Sequence, residues 1–185
     1  VTQEIYFDFI PTGTYLTSGI WKIHLYGRRI KEGTYNLWLP GGNVLNPVTG
    51  FYRPVATETL TIPSTAAKVI TVGAYDSRLN AYADFSGRGG AGLPYPKPDL
   101  VAPGVAITAP TPGGGYASVT GTSFSTPFVT GSAALLMEWG IVRKNDPFLW
   151  GEKVKAYLRR GTKPLSGFDR YPNESVGWGR LCLES

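Results

Sequence analysis

Cysteine and histidine are nearly absent from this 185-residue sequence, each occurring once, as Cys182 and His24. A single cysteine excludes an internal disulfide and any site with several cysteine ligands, and we expect no metal and no cofactor. Long hydrophobic runs are missing too. No stretch approaches the roughly 18 consecutive apolar residues of a membrane-spanning helix, so no contact with a membrane is expected.

Charged residues are also scarce, at 17% of the chain. The net charge of +5 comes from scattered lysines and arginines, and the two densest groups, in residues 22–31 and 153–163, are interpreted as solvated faces. We therefore expect no nucleic-acid partner. Position 1 is valine, with no leader pattern after it, so we expect the chain to be a processed product or a portion of a longer protein.

Glycine and proline, by contrast, are abundant. The 24 glycines and 15 prolines make up about a fifth of the chain, which favours a loop-rich β or α/β protein over a helical bundle. Apolar residues reach 42%, and a chain of this length can bury a real core.

Residues 1–58 have the pattern of half-buried strands. Apolar side chains alternate with polar ones at Trp21, Ile23 and Leu25, and again over residues 35–39. With a further strand expected over residues 4–10, this segment predicts an antiparallel β-sandwich or jelly roll. Three or four strands are few for a complete module, so we expect it to be incomplete.

Residues 59–185 have an α/β pattern instead. A nearly continuous apolar run over residues 68–74 is typical of a strand covered on both faces, and residues 81–85 and 105–109 are shorter candidates. The small and apolar residues of 123–139 predict a helix buried on every side that ends at Gly140. A second, amphipathic helix is predicted to open at Asp146 and Pro147 and to end at Gly161.

Gly87, Gly89 and Gly92 match the G-x-G-x-x-G pattern of dinucleotide-binding proteins. Such a site needs a helix immediately after the glycines, to receive the pyrophosphate at its N-terminus. The proline-rich segment LPYPKP follows here and cannot open a helix, so we interpret the glycines as an ordinary loop.

The segment GTSFSTP, residues 121–127, is the candidate for chemistry. A serine hydroxyl gains as a nucleophile at the start of a helix, where unpaired backbone N–H groups and the helix dipole stabilise an oxyanion. Ser123 has that position, and Gly121 leaves room for a substrate backbone. Helix chemistry alone leaves a second interpretation open, in which Thr122 or Ser123 simply caps the helix. Small residues let the helix pack closely: Ser125, Thr126, Gly131, Ala133 and Ala134.

GTSFSTP resembles the nucleophile motif of the subtilisin-like serine proteases. Colinear segments agree: KVITVGAYD and ADFSGRG upstream, KPDLVAPGVAITAP just before it, VTGSAALL after it, and a closing GWGRLCL similar to the family's last strand-and-helix segment. The resemblance covers about residues 57–181. It implies that residues 59–185 are the C-terminal part of a subtilisin-like α/β domain, that Ser123 is the nucleophile with its own N–H as one oxyanion donor, and that Thr122 flanks the oxyanion.

The sequence also departs from the family pattern. The family's catalytic Asp and His and its oxyanion Asn precede the Ser, whereas His24 lies in a β-like WKIHL segment and is interpreted as an ordinary side chain. Asp76, Asp84 and Asp99 fall within later segments of the fold. Phe128 replaces a family histidine that is not the base. The calcium sites common in the family need residues that this sequence lacks.

The resemblance therefore implies a serine endopeptidase acting on polypeptides, inactive in isolation until the N-terminal part of the same protein supplies Asp, His and Asn. Two alternatives stay open: an inactive pseudoprotease that senses or scaffolds, and a β module that binds carbohydrate or protein through its aromatic residues. The inserted β module, with YNLWLP and TLTIPS segments, is similar to clostridial spore-germination proteases. That likeness favours an extracellular or spore-associated location.

Overall fold

The computed structural model describes residues 5–40, 45–46, 48–90 and 92–184. The chain divides into two compact units, residues 1–37 and 38–185. Within the described residues, all strands and helices belong to the second unit. The domain boundary that the sequence predicts, between residues 58 and 59, stays a prediction.

A three-stranded sheet forms the centre of the second unit, in the order β2, β1, β3. β1 (Val72–Asp76) pairs antiparallel with β2 (Ala81–Tyr82) and parallel with β3 (Leu100–Pro103). β1 begins four residues later than the predicted strand. On the other edge of β3, the Val101 N–H donates to the Gly179 carbonyl at 3.0 Å, and the Leu181 N–H donates to the Val101 carbonyl at 2.8 Å. The closing segment thus extends the sheet, but none of its described residues is helical.

A second, two-stranded antiparallel sheet is a hairpin of β4 (Ile107–Pro110) and β5 (Tyr116–Val119). The turn between them contains three glycines with φ between 83° and 100°, a region that other residues seldom adopt. β4 starts two residues after the predicted strand, and β5 leads directly into the first helix.

The first helix, α1 (Thr122–Met137), lies where the sequence predicts a helix. It does not stop at Gly140, because the chain continues as a π-helical turn, Glu138–Val142. Gly140 is buried there, and an added Cβ would lie 2.7 Å from a methyl group of Leu149. The prediction of burial on every side is wrong. The buried residues of α1, Ser125, Val129 and Ser132, recur every three or four positions, so only one face packs.

The second helix, α2 (Gly151–Arg160), starts later than predicted and is followed by Gly161 as expected. Asp146 does not cap it. Its carboxylate instead pairs at 2.6 Å with the ammonium of Lys153, in the first turn of the helix. Trp150 is the N-cap residue and forms no side-chain capping bond.

The core lies on both faces of β3, because successive side chains of a strand point to opposite faces. Leu100 and Ala102 pack on one face with helix residues, and Val101 packs on the other. The first cluster consists of Leu100, Ala102, Val129, Leu149, Val154 and Leu158, and the second of Tyr75, Val101, Leu165 and Val176.

A buried charge cluster lies at the start of β3. The Asp99 carboxylate, fully buried, contacts the ammonium of Lys97 at 2.9 Å, the ammonium of Lys155 at 3.1 Å and the guanidinium of Arg159. The Thr71 N–H also donates to it, at 2.6 Å. Lys155 and Arg159 belong to the group interpreted as a solvated face. For Lys155 that interpretation is wrong, since it is buried and also donates to the carbonyls of residues 67 and 69.

The described residues 5–37 contain no strand and no backbone–backbone hydrogen bond. The strands predicted over residues 4–10, 21–25 and 35–39 are not observed in the described residues 5–40, and Glu4 lies outside them. Trp21 packs edge-on against Phe9 at 5.2 Å between ring centroids but is 59% exposed. Alternating side chains define two faces, but a strand also needs a hydrogen-bonded neighbour, which these residues lack. A jelly roll is thus not shown.

Candidate active site

Gly121 sets the path by which the chain enters α1. Its N–H donates to the Gly104 carbonyl at 2.8 Å, and its carbonyl accepts from the Phe124 N–H at 3.1 Å. Its φ of 152° is one that residues with a Cβ seldom adopt. The glycine that the sequence predicts at the cleft is thus required by the backbone turn itself.

Ser123 is the second residue of α1 and is exposed. Among the described residues its hydroxyl has no hydrogen-bond partner, and the N–H groups of Thr122 and Ser123 have no acceptor. These free donors and the helix dipole point toward the space that a negative charge beside Ser123 would occupy. The arrangement can stabilise an oxyanion.

The simple capping interpretation is not observed. The N-cap residue of α1 is Gly121, and no side chain forms a capping hydrogen bond there. Thr122 is half-buried, and its carbonyl accepts from the Thr126 hydroxyl at 3.2 Å. The hydroxyl of Ser123 is therefore not used in holding the helix end.

The hydroxyl of Ser125 has a role that the sequence analysis missed. Ser125 is fully buried, and its hydroxyl donates to the Ala102 carbonyl of β3 at 3.1 Å. Gly104 makes room for it, because a Cβ at Gly104 would collide with the Ser125 hydroxyl and lie 2.7 Å from the Ala74 Cβ. No sequence pattern marks this contact; the only signal is a hydroxyl on the buried face of a helix.

Among the described residues of the second unit, no carboxylate is hydrogen-bonded to Ser123. His24 belongs to the first unit, where it is exposed and stacked with Tyr26 at 6.3 Å. Asp76 pairs with Arg78 at 2.9 Å, and hydrogen bonds from Arg78 hold the pKa of the Asp76 carboxyl below its ordinary value. Asp99 is engaged in the buried charge cluster. Within the described part of the second unit, no general base contacts the Ser123 hydroxyl.

An open apolar groove follows α1 from its second turn onward. It is lined by Phe128, Leu135, Leu181 and Leu183, among others, and Ser123 is not part of its lining. Phe128 and Leu135 are 42% and 56% exposed. The groove thus continues the helix face away from the serine rather than enclosing it.

The described residues include no group of three or more His, Cys, Asp or Glu side chains that could hold a metal ion. None of their helices has both the length and the apolar character needed to cross a bilayer.

Sequence relatives and solved structures point to one family. Residues 39–179 match the model of the subtilase family. Alkaline elastase YaB of Bacillus sp. (strain YaB) is 47% identical over 109 residues, which are 59% of this chain and 25% of that protein. Subtilisin BL of Lederbergia lenta is 35% identical over 114 residues, 62% of this chain and 38% of that protein.

Among solved structures, the CspB protease of Clostridium perfringens superposes with a TM-score of 0.70 and 45% identity, over 76% of this chain and 30% of that one. The prenylagaramide maturation protease PagA gives a TM-score of 0.58 and 35% identity, over 70% of this chain and 45% of that one. The chain spans less than half the length of these relatives. Because the family match covers well over half of its residues, the chain belongs to the subtilase family of subtilisin-type serine proteases and has a subtilisin-like fold.

Proposed function

We propose that this chain supplies the nucleophile, Ser123, of a subtilisin-type serine endopeptidase whose substrate is a polypeptide. The observation that carries the proposal is the exposed Ser123 hydroxyl at the N-terminal end of α1, which has no hydrogen-bond partner among the described residues. Family membership supports the reaction class, and the geometry of the helix end supports the role of this serine.

In the proposed reaction the Ser123 Oγ attacks the carbonyl carbon of the scissile peptide bond while its proton passes to a histidine base. The carbonyl oxygen becomes an oxyanion, to which the Ser123 N–H donates, with Thr122 beside it. The C–N bond then breaks, and the amine leaves with the proton from the histidine. Water hydrolyses the resulting ester. Gly121, which has no side chain, leaves space for the substrate backbone.

We also propose that the histidine, its orienting aspartate and the oxyanion asparagine come from the N-terminal part of the same protein. His24 is stacked with Tyr26, and Asp76 and Asp99 are already in ion pairs. The relatives are longer than this chain, which leaves room for such a part. The apolar groove along α1 is a surface that it can cover.

Within the family, we propose a protein of the clostridial spore-germination type, in which residues 1–58 are an inserted β module. The support is the likeness to a clostridial protease, at 45% identity and a TM-score of 0.70. Mapping domain boundaries in the full-length protein by limited proteolysis tests this. Cleavage clustered near residue 58 supports the module, whereas cleavage clustered near residue 37 contradicts that boundary.

The experiment for Ser123 is labelling of the full-length protein with a fluorophosphonate, which reacts with an activated serine. We expect one label, on Ser123, that Ser123→Ala abolishes and that Ser118→Ala, at an exposed serine of β5, leaves intact. Peptide hydrolysis should fall by about 10⁶-fold in Ser123→Ala, the cost of losing the nucleophile in subtilisin. The 185-residue chain alone should not hydrolyse peptides.

Two results would contradict this proposal. If full-length protein is not labelled, the protein is an inactive pseudoprotease that senses or scaffolds. If the 185-residue chain alone turns over peptides and Ser123→Ala stops it, the requirement for an N-terminal part is wrong.

A further inference from the structure

Four hydroxyl side chains of α1 donate hydrogen bonds, and one of them differs from the rest. Thr126, Thr130 and Ser132 donate to carbonyls four residues earlier in α1, those of residues 122, 126 and 128. Such bonds stay within the helix and do not connect it to anything else. The Ser125 hydroxyl donates instead across 23 residues of sequence, to the Ala102 carbonyl of β3.

This bond lies two residues from Ser123, on the opposite side of the helix. Ser125 is fully buried against the sheet, while Ser123 is exposed. Residues i and i+2 of an α-helix are rotated by about 200° from one another about the helix axis. A hydrogen bond that fixes the first turn at Ser125 therefore also fixes the direction in which the Ser123 side chain points. A shift of this turn relative to the sheet therefore moves the Ser123 hydroxyl.

Backbone hydrogen bonds around Gly104 complete the attachment. The Gly104 N–H donates to the Tyr75 carbonyl of β1 at 3.0 Å, and the Gly104 carbonyl accepts from the Gly121 N–H at 2.8 Å. A Cβ at Gly104 would lie 3.1 Å from the Gly121 carbonyl and would collide with the Ser125 hydroxyl. The start of α1 is thus joined to both parallel strands, and Ser125 is the one side chain of this junction that donates to the sheet.

We propose that Ser125 is a positioning residue for the nucleophile: its buried hydroxyl ties the first turn of α1 to β3 and so sets the place of the Ser123 hydroxyl. This inference rests on the proposed function of Ser123. A shift of about 1 Å in a reacting group can cost 10²-fold in rate, so one hydrogen bond at this distance from the nucleophile has a kinetic consequence.

The first test needs no activity. Hydrogen–deuterium exchange of the 185-residue chain is compared for wild type, Ser125→Ala and Ser132→Ala. Ser132→Ala is the control, because it removes a buried hydroxyl of α1 whose hydrogen bond stays within α1. We expect Ser125→Ala to speed exchange of the backbone amides of Ser125, Thr126 and Phe128 by about ten-fold or more, as expected for loss of one hydrogen bond. Ser132→Ala should leave these amides unchanged. Equal exchange in the two variants would overturn the anchoring.

The second test uses the full-length protein. Ser125→Ala should lower kcat and the rate of fluorophosphonate labelling about ten-fold or more, with KM unchanged, because positioning acts on the chemical step. Ser125→Cys keeps nearly the same size with a weaker donor and should give an intermediate rate. A wild-type labelling rate in Ser125→Ala would overturn the positioning role, as would equal rates in the Ala and Cys variants.

The two tests distinguish failure of the proposed role of Ser123 from failure of the proposed role of Ser125. If wild type is not labelled, the proposed function fails, and the exchange experiment still decides whether Ser125 anchors the helix. If Ser125→Ala lowers the thermal stability too far for kinetics, Ser125→Cys alone decides, since a normal rate there contradicts the role of the hydroxyl.

Discussion

Residues 5–37 and residues 72–103 each include a segment with an apolar pattern typical of strands, alternating in the first and nearly continuous in the second, but their structures differ. In the first region, apolar side chains at alternating positions, such as Trp21 and Leu25, are 59% and 62% exposed. In the second, β1 and β3 pair in parallel, and Leu100, Val101 and Ala102 are fully buried. Both regions satisfy the strand pattern, but only the second has a neighbouring strand and covering helices. An apolar pattern indicates which face of a segment can be buried, but burial itself requires a neighbouring strand or helix that packs on that face.

The largest difference in stability between matched variants of the two regions should come from removing a buried carboxylate. Asp99→Asn removes the anion from a buried group of three cations, Lys97, Lys155 and Arg159. Breaking such a buried cluster leaves uncompensated charge, so we expect the free energy of unfolding in urea to fall by about 3–5 kcal/mol. Asp8→Asn makes the same change at an exposed site of the first region and should alter it by less than about 0.5 kcal/mol.

The difference in the free energy of unfolding between wild type and Asp99→Asn should depend on pH. Burial raises the pKa of Asp99, but the Thr71 N–H and the Lys97 ammonium outweigh it and hold that pKa below its ordinary value. A carboxylate with a lowered pKa stabilises the fold above its unfolded pKa, about 3.9, and this contribution is lost as the pH falls through the folded value. The gap between wild type and Asp99→Asn should therefore be constant above about pH 5 and narrow in acid. A gap that widens in acid contradicts the ionised cluster.

Two leucines provide the matched apolar test. Leu100 is fully buried in β3, and Leu25 is 62% exposed. Leu100→Ala removes buried methyl groups and leaves a cavity, so the free energy of unfolding should fall by about 2–5 kcal/mol. Leu25→Ala should change it by less than about 1 kcal/mol. Urea unfolding measures both, and a similar loss in the two variants would mean that residues 5–37 bury their apolar face in solution.

How far the sequence predicts the fold depends on how local each signal is. α1 lies where predicted because a long run of small and apolar residues is a local signal. β3 escaped prediction because LVAP is short and ends in proline, and its burial comes from α1, α2 and residues 165–181, distant in sequence. The start of α2 was misplaced for a similar reason, since the Asp146 side chain binds Lys153 instead of capping.

The candidate site follows the same rule. The position of Ser123 at the start of α1 could be predicted, because the small and apolar residues that follow it are a local helix signal, whereas its role as the nucleophile stays a proposal. The partner of Ser125 could not, since Ala102 lies 23 residues away and any carbonyl of a neighbouring strand could accept. The Asp99 cluster could not be predicted either, because Lys155 and Arg159 reach Asp99 only through the packing of α2, more than 50 residues away in sequence.

Truncation gives the smallest expected effect, and it locates the boundary between the two regions. Glu58 bonds only within the second unit: its carbonyl accepts from the Trp38 indole N–H at 3.2 Å, its N–H donates to the Gly89 carbonyl at 2.8 Å, and its carboxylate accepts from the Gly92 N–H at 3.0 Å. A chain of residues 38–185 keeps all three bonds, whereas residues 59–185 lose them. At about 1 kcal/mol per hydrogen bond, the free energy of unfolding in urea should be about 1–3 kcal/mol lower for residues 59–185 than for residues 38–185.

Removing residues 1–37 alone should leave the free energy of unfolding within about 0.5 kcal/mol of the full chain, since the described part of this segment, residues 5–37, contributes no strand to either sheet. If residues 59–185 are instead as stable as residues 38–185, the contacts of Glu58 contribute nothing and the boundary belongs at residue 58. If removing residues 1–37 costs as much as removing residues 1–58, the first region supports the second, and the contrast between them is one of pattern only.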